Sequence, residues 1–349
     1  MRKNIIKIAC VFVGLIFGAG FASGQEHLSF FLRFGELGLL GILLSALILG
    51  LCGYSVMKIC LKQNIRDYKS FMLYIFGPRL GWVLDLITGK FIFVIVAAML
   101  AGAGAMGQEV LGLPFTMGVV LLALLCFIVI MFDMKGIVEI NVIATPLLLV
   151  GAVALGVYSI FQDATPAIAL MNNNAMWPIS AVLYASYNMI TTIAVLATMS
   201  VLVINKKTAM LSSFFAGASI AVVGLVLALT LMLHIGAVSN AQLPMLVLGQ
   251  QFGVVIGYGY AVLLFIAIFT TAATNAYALV AWVSAKKVAI SFRSRVKHGM
   301  TIIKLLVMVA AIIAAHLGFS NMVAVVYPIF GFLGLFIVVA IIIKGFTRD

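Results

Sequence analysis

From Ile5 to about Leu32 the chain runs almost without charge, and nine further apolar runs follow, near 36–60, 88–111, 114–132, 136–160, 177–203, 209–236, 254–284, 300–318 and 322–344. About 20 apolar residues cross a bilayer as a helix, so each run predicts one span. Several are longer than that, which predicts tilts or breaks. The pattern therefore predicts an all-α polytopic membrane protein with ten transmembrane helices.

The polar positions between the runs are unevenly charged. Arg2, Lys3 and Lys7 precede the first span, and Lys58, Lys62, Arg66, Lys69, Arg79 and Lys90 flank the link between the second and third. Lys206 and Lys207 follow the sixth, and Lys286, Lys287, Arg293, Arg295, Lys297 and Lys304 gather between the eighth and ninth, with Lys344 and Arg348 at the end. The alternate loops hold only Arg33. By the positive-inside rule both termini lie in the cytoplasm, in a multi-pass protein of the cell inner membrane.

Composition agrees. Of 349 residues, 65% are hydrophobic and 9% charged, against roughly a quarter charged in ordinary globular chains. The net charge of +12 lies in short clusters between spans, with no basic domain or stripe, which argues against a nucleic-acid partner. Cys10, Cys52, Cys60 and Cys126 fall in or beside apolar runs without metal spacing, as free thiols filling apolar space. No G-x-x-x-x-G-K-[ST] motif is present to drive an ATP-powered pump. His27, His234 and His316 stand near span ends with no acid at catalytic spacing, so an enzyme is not expected and no catalytic residue is assigned.

Weak internal echoes divide the chain into two five-helix halves, 1–165 and 170–349, within a single transmembrane domain. "FGPRLGW" at 76–82 and "FGVVIGY" at 252–258 share Phe-Gly and a second glycine at one offset. Pro146 and Pro328 mark the fifth and tenth spans. With five spans per half, the second half runs inverted relative to the first.

The first span carries "FGAGFASGQE" at 17–26. Glycines in a helix interior each cost roughly 1 kcal/mol against alanine. Ser23 and Glu26 have the S-x-x-E spacing of a capping box. The stretch predicts one helix ending near Phe17 and another starting near Ser23, with Glu26 as a structural cap. Unwound backbone at mid-depth must face protein or a water-filled cavity, where its dipoles are available to a ligand. In the sixth span, Tyr184-Ala185-Ser186-Tyr187-Asn188 supplies two phenols, a hydroxyl and an amide. In the eighth, Thr270, Thr271, Thr274 and Asn275 offer the oxygen ligands a hard cation prefers. The alternative readings are a continuous sixth helix whose Ser and Asn bond to neighbouring helices and threonines of the eighth bonding to their own helix carbonyls.

"GAGFASGQE" together with "LYASYN" resembles the bacterial amino acid permease family of YkvI-like membrane proteins, in the amino acid–polyamine–organocation superfamily with the LeuT fold. The likeness covers the whole chain in span count and order, and its specific part is these two motifs. It implies a five-plus-five inverted repeat with helices 1 and 6 discontinuous around a central site. Carried over, Gly18, Ala19, Gly20 and Phe21 match the motif that receives a substrate carboxylate, and Ser186, Tyr187 and Asn188 the stretch that receives the amino group. Gly14 and Phe17, with Ala267, Thr270 and Thr271, match the ligands of a coupling sodium ion. The sixth span lacks the family's glycine, and the interior of the fifth lacks the lysine of some proton-coupled relatives, which leans toward Na+. The implied function is secondary transport of a small neutral amino acid or related amine by alternating access, with 239–252 as an outer gate and no cofactor beyond the ion. The alternative is a ligand sensor on the same fold that does not transport.

Overall fold

A computed structural model describes residues 2–132, 136–162 and 175–347, and within 136–145 only the helical course of the backbone. The boundary drawn between 165 and 170 lies outside the described residues. Every regular element described is helical. The first apolar run forms three pieces, α1 (Arg2–Ile16), α2 (Ala19–Ala22) and α3 (Gln25–Phe30). Then follow α4 (Leu37–Gln63), α5 (Tyr68–Leu111), α6 (Phe115–Met131), α7 (Gly136–Ile160), α8 (Trp177–Met199) and α9 (Lys206–Leu233). After these come α10 (Ile235–Val238), α11 (Pro244–Gln251), α12 (Val254–Ser284), α13 (Lys287–Arg295), α14 (Gly299–Ala315), α15 (Phe319–Asn321) and α16 (Tyr327–Phe346).

Among the described residues six helical stretches are long and apolar enough to cross a membrane: Leu37–Gln63, Tyr68–Leu111, Trp177–Leu202, Lys206–Leu233, Val254–Ser284 and Phe319–Phe346. Phe115–Met131, Pro146–Ile160 and Gly299–Ala315 are shorter apolar helices. The helices form two packed groups. In one, α4 lies against α8 and α9, and α1 against α9; in the other, α5 lies against α6, α12 and α14. At one end α5 and α12 are joined by Asp85, which accepts from Lys286 Nζ (2.7 Å) and Trp282 Nε1 (3.1 Å). Both ionic partners are over a third exposed, so Asp85→Asn is expected to lower thermal stability by only about 0–1 kcal/mol in a melting measurement.

Two expectations are corrected. The long helix of the third span begins at Pro78, not near 88, and a short helix from Tyr68 precedes it across a kink at Gly77. Asp67 caps the helix by accepting from Ser70 N–H (2.9 Å), and the chain bends at Gly77 (φ 68°) before Pro78 restarts it. The sixth span is not discontinuous. α8 runs unbroken from Trp177 to Met199, because its polar groups bond within the helix: Asn188 Nδ2 donates to Tyr184 O (3.0 Å) and Thr191 Oγ1 to Asn188 O (3.4 Å). No glycine between Tyr184 and Asn188 weakens it. α16 presses on it through Gly331 and Gly334, where a Cβ would lie 2.7 Å from Leu183 O and Ser186 O.

The glycines of the sequence echo hold like positions. Gly77 (φ 68°) and Gly253 (φ 121°) each stand where a short helix turns into a long one, Pro78 onward and α12. The tenth span also carries an irregularity: residues Met322–Val326 form a π-helical stretch just before Tyr327 and Pro328. Proline lacks the N–H that would continue an α ladder, and a π turn absorbs the mismatch.

Candidate functional site

The first span is interrupted as its sequence predicts. α1 stops at Ile16, and Gly18 is extended (φ −74°, ψ −177°) before the single turn of α2. A second break follows at Gly24 (φ 84°). Past Gly18 several of the freed backbone groups find partners. Ser23 Oγ donates to Gly20 O (2.9 Å) and accepts from Gln25 N–H (3.3 Å). Ser23 O accepts from Met245 N–H (2.9 Å) at the start of α11, and Tyr260 Oη of α12 donates to Ala22 O. Segment 239–252 is thus clasped to the break. Tyr260→Phe would orphan the Ala22 carbonyl, and a stability loss of about 1–3 kcal/mol is expected by thermal melting.

Gly24 is required twice over. Its φ is one that L side chains rarely adopt, and a Cβ would meet Leu231 at 2.9 Å and Met245 at 3.0 Å. Gly24→Ala is expected to cost about 2–4 kcal/mol, read as a lowered melting temperature of the purified protein.

The capping box does not form. Ser23 caps through Gln25 N–H, whereas Ser23 N–H itself donates to Ala19 O, so Glu26 has no cap to complete. Its side chain turns instead onto the Cα of Gly20, where an added Cβ would collide with Glu26 Oε1. Glu26 is 5% exposed and Oε2 has no hydrogen-bond partner. It faces the phenols of Tyr184 and Tyr187, yet both hydroxyls also stand without a partner.

Glu26 borders a cavity of about 300 Å³ at the break. Of the residues picked from sequence, Gly14, Phe17, Gly18, Ala19, Gly20, Tyr187, Asn188, Ala267 and Thr271 all line it. Phe21, Tyr184, Ser186 and Thr270 do not. Phe21 packs edge-on against Phe17 (4.2 Å between ring centroids) and His27 (4.4 Å). Tyr184 nests between Phe30 (5.5 Å) and Phe31 (4.9 Å), and Thr270 Oγ1 donates back to Ile266 O (2.9 Å). Ser186 is buried with its hydroxyl unpartnered, beneath Gly334.

The lining also includes residues sequence reasoning passed over: Thr88 and Phe91 of α5 and Tyr327 of α16. For Tyr327 the available signal was its place before a mid-span proline. The rings of Phe91, Tyr187 and Tyr327 form one wall, with centroids 5.8 Å (91–187), 5.6 Å (91–327) and 5.1 Å (187–327) apart. Beyond Glu26, Phe30, Phe31 and Tyr184 fill the space and are buried. In the other direction the cavity continues past Thr191, Ala194 and Val195 of α8 and Asn275 and Ala278 of α12, toward the helix ends that carry basic residues. Two larger hollows, about 660 and 570 Å³, are apolar grooves between helix faces and lack this concentration of polar groups.

Solved structures of this shape include membrane transporters, and the fold is the LeuT fold. The chain superposes on the Eremococcus coleocola manganese transporter with a TM-score of 0.62 at 16% identity, covering 97% of this chain and 78% of that one. It superposes on MhsT in complex with L-phenylalanine at 0.61 and 16%, covering 100% and 92%. For inward-facing Mhp1 the values are 0.59 and 13%, covering 98% and 76%. In sequence the chain is a homologue of two Bacillus subtilis (strain 168) proteins. It is 28% identical to the membrane protein YkvI over 99% of this chain and 98% of that one. It is 27% identical to YyaD over 97% and 96%. No family model matches the chain.

Proposed function

We propose that the protein is a secondary transporter that moves a small amine-bearing solute, a neutral amino acid or related amine, by alternating access. The observation that carries this reading is the interrupted first span opening onto a cavity between the helices, in a fold whose solved examples include transporters. In this reading the chain crosses the cell membrane ten times in two inverted halves, with both termini in the cytoplasm, as the basic loops require. α1–α4 with α8 and α9 rock against α5, α6, α12 and α14, and the cavity's extension toward the basic side makes the present state inward-facing.

A cation gradient supplies the driving force, with sodium the first candidate. Gly14, Phe17, Ala267 and Thr271 line one cavity, and their oxygens suit a hard cation. A transition metal as cargo is less well supported: among the described residues no three His, Cys, Asp or Glu side chains cluster. The experiment is uptake of labelled amines and amino acids into proteoliposomes. Uptake is expected only under an inward ion gradient and is expected to stop when the gradient is collapsed. Ligand binding without uptake under sodium or proton gradients would contradict transport and favour a sensor.

A further inference from the structure

Three features of the cavity bear on the charge of its ligand. Glu26 supplies a carboxyl that is almost wholly buried, with one oxygen unpartnered and the other seated on Gly20. Among the described residues no Lys, Arg or His lines the cavity to balance it. A carboxylate held this way is costly unless a cation or a proton neutralises it. The last residues of α1, Gly14 to Ile16, border the same space, and the C-terminal end of a 15-residue helix presents carbonyls with partial negative charge. Beyond the break, α2 and α3 have 4 and 6 residues, too short to set a substantial positive end against these two negative features. The opposite wall is aromatic, and ring faces attract organic cations.

We infer that the ligand of this cavity is an organic ammonium ion, its positive end held by the Glu26 carboxylate and the α1 carbonyls and its carbon skeleton lying on Phe91, Tyr187 and Tyr327. A solute led by a carboxylate would meet Glu26 at the position where Gly18–Gly20 would receive it. A transition-metal ion would find the Glu26 carboxyl without a cluster of His, Cys or further acidic ligands among the described residues. This narrows the substrate class of the transporter reading and rests on that reading only for the choice of site, since it concerns binding and not transport.

The test is binding to purified full-length protein in detergent, by thermal shift and calorimetry. The probes are n-butylammonium, phenethylammonium, L-phenylalanine, butyrate and sodium chloride alone, each at millimolar concentration. The ammonium ions are expected to bind wild type most tightly and butyrate not at all. Glu26→Gln keeps the side chain's volume and is expected to weaken ammonium binding by at least about 30-fold, as loss of one partner of a buried charge pair does. Tyr327→Leu is expected to weaken it about 3- to 30-fold, whereas Tyr327→Phe, which keeps the ring, changes little. The inference is overturned if butyrate or phenylalanine binds better than the ammonium ions, or if Glu26→Gln binds them undiminished. It is also overturned if only sodium binds, or if no probe shifts the folded protein. Ammonium binding without uptake in vesicles would defeat the transporter reading alone; uptake of a carboxylate solute indifferent to Glu26→Gln would defeat this inference alone.

Discussion

Gly20→Ala is expected to abolish high-affinity binding while leaving the protein folded. The added Cβ would collide with Glu26 Oε1. That atom is the end of a flexible side chain, so the carboxylate moves and the backbone does not. In the single turn of α2 alanine is favoured over glycine by roughly 1 kcal/mol, which offsets the local crowding. The expected outcome is a melting temperature near wild type with an affinity loss of about 30-fold or more. Gly18→Ala is the companion variant. Nothing lies within 4 Å of the position of its Cβ, and its φ is ordinary for any residue, so binding is expected to change little. Calorimetry on the two variants reads the contrast directly.

Gly334→Val is expected to have the opposite profile, with loss of the fold rather than of the ligand. A Cβ at Gly334 would stand 2.7 Å from Ser186 O and 3.0 Å from Ser186 C. These are backbone atoms in the middle of α8, and they have no flexible end to yield. Overpacking of this kind typically costs 1–3 kcal/mol and occasionally more. Here the extra methyls of valine add to a contact that already admits no Cβ, so a loss of about 3 kcal/mol or more is expected. The measurement is the monodisperse yield after detergent extraction, with the melting temperature of whatever folded protein is recovered. Close approach through small residues is how helices associate in lipid, where apolar burial alone provides no drive.

Much of this arrangement was legible in the sequence, and the failures are physical ones. The break at Gly18 was legible because glycine is costly inside a helix and several occur together. The polar stretch of the eighth span was half legible: Thr271 reaches the cavity, but Thr270, one residue before it, turns back to its own helix. Sequence spacing alone does not say which of two adjacent hydroxyls faces inward. The sixth span was misjudged because its break was carried over from the family resemblance onto a stretch that lacks the family's glycine. Asn188 satisfies itself on Tyr184 O, and the contacts from Gly331 and Gly334 lie more than 140 residues away in the chain. Glu26 was misread for a related reason. A capping box is a local pattern, and Ser23 meets the local need through Gln25 N–H, which releases the acid to the cavity. Tyr327 and Phe91 reach the wall only through tertiary packing, and only the mid-span proline after Tyr327 hinted at its role.

The central claim is that the first span breaks at mid-depth onto a water-filled, ligand-holding cavity. Thiol accessibility tests it most directly. With Cys10, the exposed native cysteine, replaced by alanine, Gly18→Cys in native membranes is treated with a small hydrophilic maleimide. Ala101→Cys, at a position with 0% exposure, serves as the buried control. Gly18→Cys is expected to label rapidly, with protection by phenethylammonium, while Ala101→Cys stays unmodified. A Gly18→Cys protein as inert as the control would mean that no aqueous cavity meets the break, and would contradict the account.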